Sequence, residues 1–556
     1  MSRKVFDIVE FGLIIGIIIF CNSIFSNYFI RLDLTEDKRY TIAPETEEAM
    51  ENLNDVLYIE VFLAGELSPD YERLRKAIEE KLSEIKLYAE DNVVFKFTDP
   101  NAITNKKIRD QYFSQLIQRG IAYNLERVEE GSKVEEKLIF PSAMLSLNGK
   151  EVPVSFMKGS KILPIEQQLN QGVEGVEYEL VSALRKLKNT ATKSLAFIEG
   201  HGELPKENTS DISSALSEYY NVATIKLTDS INLSQFQTLV LAGPTQIFSE
   251  KEKFLLDQYL VNGGSLLILA DALNLNADSL VNGFTYAIPY NTGLESLLFK
   301  YGLRLNPDLI QDLNCGLIKV ATGNGDQTQT VNWPYYPILY NYGKHPIVKS
   351  LDAISSNYIS SIDTVKANGI IKTPLIFTTN NTKLINAPAK LDLNSTRQTI
   401  DPATFNKGQK CVGYLLEGQF ESAYKNFPSP ISTKKVISKN KNGRIIFISD
   451  SDIIRNEYDF KKNKPVPLGF DPTINYNFSN KDFLIHSFDY LMYESIIGLR
   501  NKEIALRPLD KIRIQNEKLF WQILNILSPI ILILIYGIVR YVVRKRRHEA
   551  EIQFIQ

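Results

Sequence analysis

The stretch SLAFIEGHGELP (194–205) decides the fold, because an apolar run ends there in a glycine-rich turn, as the strands of α/β domains do. Similar apolar segments follow it and predict further strands at NVATIKL (221–227), TLVLAG (238–243), GGSLLILAD (263–271) and RIIFISD (444–450). Helices are predicted at 209–219 and 249–261. Continuous apolar strands separated by helices are typical of a parallel sheet covered on both faces. We therefore predict a doubly wound α/β domain over 191–480.

Upstream, residues 31–160 carry the pattern of a second, smaller domain. Strands and helices alternate there, with strands predicted at 57–65 and 93–100, helices at 69–90 and 104–119, and two final strands at 135–147 and 151–156. Asn148-Gly149 joins the last two strands and is a strong hairpin signal. The order βαβαββ predicts a thioredoxin-like domain, and its lack of paired cysteines leaves a scaffold role. The segment 161–190 is predicted to be a linker helix.

Two uncharged apolar segments predict membrane spans that flank these domains. Residues 11–30 and 519–539 are each about 20 residues long, which is the length needed to cross a hydrocarbon core. Trp521 stands near the start of the second segment, as an interfacial anchor should. The alternative for the first segment is a cleaved signal peptide. No small-x-small cleavage site follows it, so we favour an uncleaved anchor over 1–30.

Basic residues predict the orientation of the two spans. Arg540 and the run of Lys and Arg at 544–547 follow the second span, 519–540, and place the tail 541–556 in the cytoplasm. Two spans then return the N-terminus to the same side. The sequence predicts a two-pass inner-membrane protein with both termini in the cytoplasm and its bulk, including a membrane-proximal segment at 481–518, in the periplasm.

Composition and motifs exclude several functions. The formal net charge of -2 and a pI near 6.2 give no basic footprint for nucleic acid. The sequence has no Walker A segment, so it supplies no P-loop nucleotide hydrolysis of its own. Four histidines and three cysteines leave little room for a metal centre, and we predict neither a metal nor a cofactor. The sequence does not decide whether Cys315 and Cys411 form a disulfide bridge.

Polar residues at predicted strand ends are the best candidates for a ligand site. Glu199, His201 and Glu203 follow the first strand, where ligands bind in doubly wound sheets. Three carboxylates end further predicted strands and could converge on the same edge: Asp271, Asp450 and Asp452. The set could bind a cation or a polar ligand. The plain alternative is a tight glycine turn in a solvated loop.

Residues 272–440 are less regular, and the polar run 380–410 is predicted to be a flexible excursion. An aromatic stretch lies at 331–346. We predict partner-binding residues there and at the second span, because such side chains dominate protein interfaces: Trp333, Tyr335, Tyr336 and Trp521. A carbohydrate platform and simple core packing are the alternatives for this stretch.

Five segments in order carry a resemblance to a known family: RLDLTEDKRYTIAPET (31–46), FIEGHGELP (197–205), GGSLLILAD (263–271), TPLIFTT (373–379) and LRNKEIALRPLDK (499–511). The chain resembles the auxiliary subunits of gliding-motility-type ABC transporters of Bacteroidota. The resemblance implies a separate multi-span permease and a cytoplasmic ABC ATPase as partners. It also implies an α/β domain similar to amidotransferase-like and intraflagellar-transport-type domains, here without a catalytic Cys-His-Glu triad.

Three hypotheses follow. The first is a non-catalytic auxiliary subunit whose periplasmic region binds a substrate or an envelope partner and couples it to the permease. The second is a membrane-tethered periplasmic hydrolase, or a ligand-processing enzyme, that uses Glu199, His201 and Glu203. The third is a structural spacer or an oligomerisation platform, for instance through a homodimer.

Overall fold

The computed structural model describes residues 41–553 except 90–91, 131–132, 159–160, 162, 189–190, 322–327 and 502–516, together with six positions between 12 and 20. The chain divides into two compact units, Met1–Glu503 and Ile504–Gln556, and each is described by itself. The predicted first span lies largely outside the described residues. The domain limits at 31–160, 161–190, 191–480 and 481–518 stay predictions.

The N-terminal part of the first unit contains α1 (Pro44–Glu51), β1 (Leu57–Val61), α2 (Pro69–Tyr88), β2 (Val93–Phe97), α3 (Lys106–Gln118), β3 (Asn124–Glu130), β4 (Lys133–Ile139), β5 (Ser142–Leu147) and β6 (Lys150–Ser155). Four of the strands form a sheet in the order β2-β1-β5-β6. β1 and β2 are parallel, whereas β5 is antiparallel to both of its neighbours. The helix α4 (Ile165–Lys188) follows.

Two details of this region differ from the prediction, and one agrees with it. The stretch 135–147 is not one strand, because it breaks between Ile139 and Ser142. Its first half, β4, pairs with β3 in a separate hairpin that the sequence did not predict. The predicted turn between β5 and β6 is confirmed, since Asn148 and Gly149 both have positive φ, as a type I′ turn requires.

The main sheet has eight strands and lies further along the chain. Five of them are parallel: β7 (Ser194–Ile198), β8 (Asn221–Ile225), β9 (Thr238–Ala242), β10 (Ser265–Leu269) and β24 (Asn442–Ile448). The helices α5 (Ser210–Ser217), α6 (Glu250–Val261), α7 (Leu294–Tyr301) and α8 (Asn480–Leu491) belong to the same part of the chain. A short 3-10 helix at Ser495–Asn501 follows α8.

Thirteen strands of the described residues lie between β10 and β24, in the region predicted to be less regular. Those with three or more residues are β11 (Leu273–Leu275), β12 (Phe284–Pro289), β13 (Leu303–Leu305), β14 (Asp308–Asp312), β15 (Cys315–Ala321), β16 (Thr328–Leu339), β19 (Ile362–Thr364), β20 (Ile370–Phe377), β21 (Thr382–Asn386), β22 (Ala389–Asp392) and β23 (Cys411–Gln419). The two-residue strands are β17 (Asn341–Tyr342) and β18 (Ile354–Ser355) before β24, and β25 (Tyr458–Asp459), β26 (Lys464–Pro465), β27 (Phe470–Asp471) and β28 (Tyr476–Asn477) after it.

The sheet order, β17-β20-β23-β24-β10-β9-β7-β8, corrects the prediction of a purely parallel sheet. β23 is antiparallel to β24, and β20 is antiparallel to β23. The sheet is therefore mixed. The prediction of a flexible excursion at 380–410 was also wrong, because β21 pairs with β14 and β22 pairs with β12.

Alternate side chains of the main strands enter two separate cores. Leu267 and Leu269 face one core with α5 and α8, while Leu266 and Ile268 face the other with α6 and α7. Every residue of β10 is buried. The sheet is thus covered on both faces, as continuous apolar strands require.

The helix α4 packs on the N-terminal sheet and also contacts the 3-10 helix at Ser495–Asn501. Tyr178 and Val181 on α4 form a small cluster with Ile496 and Leu499. The first unit therefore has one helix in contact with both its early and its late segments.

The second unit contains the helix α9 (Lys518–Gln553). Its segment Lys518–Val543 is exposed and is the one helix of the described residues that is long and apolar enough to cross a membrane. The helix continues past 540, so the tail predicted at 541–556 is helical as far as Gln553.

Candidate functional site

By their hydrogen bonds and ion pairs, the residues predicted at one acidic edge fall into two groups. Glu199, at the end of β7, is partly exposed and lies 3.6 Å from the ammonium of Lys206. His201 and Glu203, in the turn that follows, contact each other. Asp271, Asp450 and Asp452 form the second group, after β10 and β24.

His201 is held between two carboxylates. Its Nδ1 lies 3.2 Å from Glu203 Oε1, its Nε2 lies 3.1 Å from Glu252 Oε1, and its ring stacks on Phe248 at 3.7 Å. Burial acts to lower the pKa of His201, but the hydrogen bonds and charges of the two glutamates outweigh it and raise the pKa. This arrangement favours an imidazolium that joins the turn after β7 to the start of α6.

Glu252 was missed in the sequence although a signal was present. Ser249 and Glu252 have the Ser-x-x-Glu spacing of a capping box, and both reciprocal hydrogen bonds are formed. Burial opposes the charge of Glu252, but the bonds from Ser249 and the nearby His201 lower its pKa. The carboxylate is therefore available to pair with the imidazolium.

The second group is a tight carboxylate cluster at the end of β24. Ser451 donates its backbone N–H to Asp271 at 2.9 Å and its hydroxyl to the same carboxylate. The backbone N–H of Asp452 donates to Asp450 at 2.7 Å. Burial, together with the charge of Asp452, raises the pKa of Asp271 to about 6 and raises that of Asp450 as well.

Two further residues complete this cluster. Arg455 Nη1 lies 3.4 Å from Asp452 Oδ1, and Asn357 donates its amide to Asp452 Oδ2 at 3.3 Å. Arg455 follows Asp452 by three residues, so the short polar run after the strand was the available signal. Within the described part of the chain, no group of three or more His, Cys, Asp or Glu side chains is arranged to hold a metal ion.

A cavity of about 480 Å³ opens beside this cluster. Its charged lining residues are Asp452, Arg455, Glu457 and Asp471, which carry a net charge of -2. The remaining wall is largely apolar and includes Leu317, Tyr336, Ile338, Phe470 and Ile474. Clefts of this size with apolar walls and a few polar groups are where small ligands bind.

The predicted partner-binding aromatics occupy different environments. Trp333 and Tyr335 are 1% and 7% exposed and belong to a buried cluster, which fits the alternative of core packing. Tyr336 is half-buried, lines the 480 Å³ cavity and lies 3.1 Å from the hydroxyl of Tyr358. Trp521 is exposed on α9, where its indole N–H donates to Glu517 at 3.0 Å.

The cysteines do not form the bridge that the sequence left open. Cys315 and Cys411 are both free. Cys315 lines the cavity, and burial, with the charge of Asp312, raises the pKa of its thiol to about 11. Cys411 is buried in β23 and donates its thiol to the Gly413 carbonyl.

Together, the mixed α/β unit and the apolar helix α9 fit a membrane-associated α/β protein with a ligand-sized cavity. Residues 192–487 match the family described as ABC-type uncharacterized transport system, ABC_transp_aux. Because the match covers more than half of the 556 residues, the chain belongs to this family of ABC-transporter auxiliary proteins. Membership indicates a non-catalytic role in association with transporter components.

Other comparisons add less. Residues 36–146 match a domain of unknown function, DUF7088. No curated protein matches the chain. Among solved structures, the chain is similar to the mmIFT52 N-terminal domain, with 13% identity over 54% of this chain and 97% of that chain, at a TM-score of 0.31.

Proposed function

We propose that the chain is a non-catalytic auxiliary subunit of a gliding-motility-type ABC transporter and that its large α/β unit binds a substrate or an envelope partner. The observation that carries this proposal is the 480 Å³ cavity beside Asp452. It lies after the carboxyl end of β24, which is where open α/β sheets bind their ligands. The family of the chain supports the link to a transporter.

The cavity suits a ligand that combines apolar and cationic or polar groups. Its charged lining is negative overall, and Arg455 offers the single positive side chain. Asp452 sits between Arg455 and Asn357, so the carboxylate is positioned before a ligand arrives. Such preorganisation lowers the entropic cost of binding.

Coupling to the membrane is supported by the contacts of α4. Its residue Glu177 accepts hydrogen bonds from Ala43 and Thr46 at the start of the described unit. Its residue Tyr178 packs against Leu499 near the end of that unit. One helix therefore contacts both segments that lead toward the predicted anchors, and a displacement of either segment would reach the α/β unit.

For the topology, we propose two spans, at 11–30 and 519–540, in the inner membrane, with both termini in the cytoplasm and the bulk in the periplasm. The exposed apolar face of Lys518–Val543 supports the second span. The basic cluster after it supports a cytoplasmic end. For the first span, the support is its uncharged sequence.

The proposed partners are a multi-span permease and, through it, a cytoplasmic ABC ATPase. The sequence lacks a Walker A segment, so nucleotide energy has to come from another chain. A homodimer through the α/β unit is a further proposal. In that case the chain would serve as a structural platform.

A hydrolase at Glu199, His201 and Glu203 is less well supported. A general base needs a ring nitrogen that can take a proton from a substrate or water. Both ring nitrogens of His201 already lie within 3.2 Å of a carboxylate oxygen. The contacts describe a structural imidazolium between a loop and a helix.

The test has two parts. Purification of the tagged chain from its native membranes should recover a permease and an ATPase, and recovery of neither would refute the transporter role. Replacing Ile474, which lines the cavity, with Trp should abolish motility or transport while the complex stays assembled. Ile247→Trp is the matched control, because Ile247 is 74% exposed away from the cavity. Full activity of Ile474→Trp would show that the cavity is not used.

A further inference from the structure

A second cleft, of about 620 Å³, lies at the end of the parallel strands opposite to the acidic cavity. Gln237 and Gly264, which line it, come directly before β9 and β10, and Lys441 comes directly before β24. The cleft therefore lies at the amino ends of the parallel strands. The acidic cavity beside Asp452 follows the carboxyl end of β24.

The charge of this cleft is entirely positive. Its charged lining residues are Lys434, Lys435 and Lys441, and no carboxylate lines it. Among the described residues, these three lysines have no ion-pair partner. Lysines on the nearby helix α6 do have partners, since Lys251 pairs with Asp229 at 3.0 Å and Lys253 pairs with Glu250. The positive charge of the cleft is thus not neutralised by carboxylates of the described residues.

The floor of the cleft is apolar. Its accessible surface comes from Ile231, which is half-buried, and from Ile437 and Tyr493, which are 38% and 45% exposed. Phe236, Phe254 and Leu255 belong to the core behind this surface. Lysine ammonium groups above an apolar floor form an amphiphilic surface. An inorganic anion would pair with the ammonium groups and leave the apolar floor uncovered. A neutral apolar molecule would cover the floor and leave the ammonium groups unpaired.

The lysine-bearing segment is fixed in place by the side chains of Gln258 on α6 and of Asn262, which directly follows α6. Gln258 accepts a hydrogen bond from the backbone N–H of Ile437 at 2.7 Å and donates to the Ile437 carbonyl at 3.2 Å. Asn440 donates its amide to Asn262 at 2.9 Å. These bonds hold the backbone between Lys434 and Lys441 against the helix, so the segment that carries the lysines is in place without a ligand.

We propose that this cleft binds an anionic amphiphile, with its phosphate or carboxylate head at Lys434, Lys435 and Lys441 and its apolar chain on the floor formed by Ile231, Ile437 and Tyr493. The site is independent of the proposed function of the acidic cavity. The head could belong to a membrane lipid or to a soluble acyl or alkyl anion, since the recognised chemistry is the same.

The experiment uses the full chain in nanodiscs of zwitterionic lipid, titrated by calorimetry with hexyl phosphate, inorganic phosphate and hexanol. Hexyl phosphate should bind saturably, and more weakly as salt rises. The triple variant Lys434→Gln, Lys435→Gln and Lys441→Gln should bind it roughly tenfold more weakly, as expected for three partly exposed charges. A control with Lys106, Lys107 and Lys150 changed to Gln, all exposed in the N-terminal part, should bind like the wild type.

A second variant separates shape from charge. Ser234 lines the cleft and is exposed, so Ser234→Trp should fill it and abolish binding without entering the core. Discs enriched in phosphatidylglycerol distinguish the sources, because competition with hexyl phosphate identifies a membrane lipid and its absence identifies a soluble amphiphile. Equal binding by the wild type and the triple variant would overturn the proposal. So would inorganic phosphate binding as tightly as hexyl phosphate, or binding of an acidic peptide alone.

Discussion

Asp489 on α8 lies 3.1 Å from the guanidinium of Arg185 on α4 and is 2% exposed. The same carboxylate accepts hydrogen bonds from the hydroxyls of Tyr220 at 2.6 Å and Tyr178 at 3.1 Å. One buried charge therefore joins α4 to the last helix of the main α/β region and to the residue before β8. Its satisfaction by three donors is what makes such burial tolerable.

Removal of that carboxylate should destabilise the unit strongly. In Asp489→Ala, Arg185 and two tyrosine hydroxyls lose their acceptor while they remain buried or half-buried. We expect a loss of about 3 kcal/mol or more in the free energy of unfolding, measured by chemical denaturation of the full chain. Glu218→Ala is the control, because Glu218 pairs with Lys186 at 2.7 Å but is 50% exposed. It should cost at most about 1 kcal/mol, and equal losses in both variants would contradict the account.

His201 should give stability that depends on pH. Its folded pKa is raised, so its contribution is complete below about pH 6.5, the ordinary value, and is lost as pH rises through the folded pKa. His201→Gln should therefore cost about 1 to 3 kcal/mol at low pH and less at high pH. Denaturation curves from about pH 5 to pH 8 measure the difference.

The buried His486 provides a control of opposite sign. Burial, with the charges of Arg500 and Lys158, lowers its pKa, so the unfolded chain binds a proton there that the folded chain does not. Relative to His486→Gln, the wild type should gain stability as pH rises toward neutrality. If both substitutions changed stability with pH in the same direction, the assigned charge of His201 would be wrong.

Two glycines with nearly equal φ should respond differently to alanine. Gly202 has φ +74° and Gly149 has φ +75°. A Cβ on Gly202 would clash with the hydroxyl of Thr245, whereas one on Gly149 would meet nothing within 4 Å. Gly149→Ala should cost about 1 kcal/mol from backbone strain alone. Gly202→Ala should cost a further 1 to 3 kcal/mol, and that excess should shrink in a Thr245→Ala background. A similar cost at both glycines would show that Thr245 moves aside.

The strands that the sequence predicted are those that carry their own signal. β7, β9 and β10 are short, apolar after a first Ser or Thr and separated by helices, so hydrophobic pattern alone locates them. β20 contains Pro374 and is only partly buried, and its place in the sheet depends on β23, which lies more than thirty residues downstream. Strand pairing between segments so far apart in the sequence gives no local pattern from which the place of β20 could be predicted.

The residues of the candidate site also differ in how well the sequence predicts them. Asp452 could be predicted because it follows a core strand. Phe470 and Ile474, which line the same cavity, lie in an irregular segment with no periodic signal. That the six strand-end residues bind a ligand stays a prediction. The sequence did not indicate that His201 would pair with both Glu203 and Glu252.

Cys315 offers a direct probe of the acidic cavity. Its thiol has a pKa of about 11, raised first by burial, so little thiolate exists at neutral pH. In a chain with Cys21→Ser and Cys411→Ala, an aromatic disulfide reagent should react slowly, at a rate that rises steadily with pH. Ile474→Trp should slow it further, because that residue shares the cavity wall. A rate equal to that of free cysteine would place the thiol outside the cavity.

Replacement of Glu177 should test whether α4 holds the start of the described unit in place. Its Oε1 accepts from the backbone N–H of Ala43 at 2.6 Å and from the hydroxyl of Thr46 at 2.7 Å, and it is 3% exposed. Ala43 has no capping side chain of its own, so the two bonds to this carboxylate are what tie the start of α1 to α4. Glu177→Ala should free α1, with amide exchange over Pro44–Glu51 accelerated roughly a hundredfold.

The matched control is Glu166→Ala, an exposed position in the first turn of α4, which should leave exchange over Pro44–Glu51 unchanged. Exchange in α5 should stay slow in both variants, because α5 packs in a different core. If α4 also carries motion from the membrane, Glu177→Ala should lose motility or transport while the permease and ATPase still copurify. Fast exchange with full activity would separate the two roles, because α1 would then be held by α4 without transmitting anything through it.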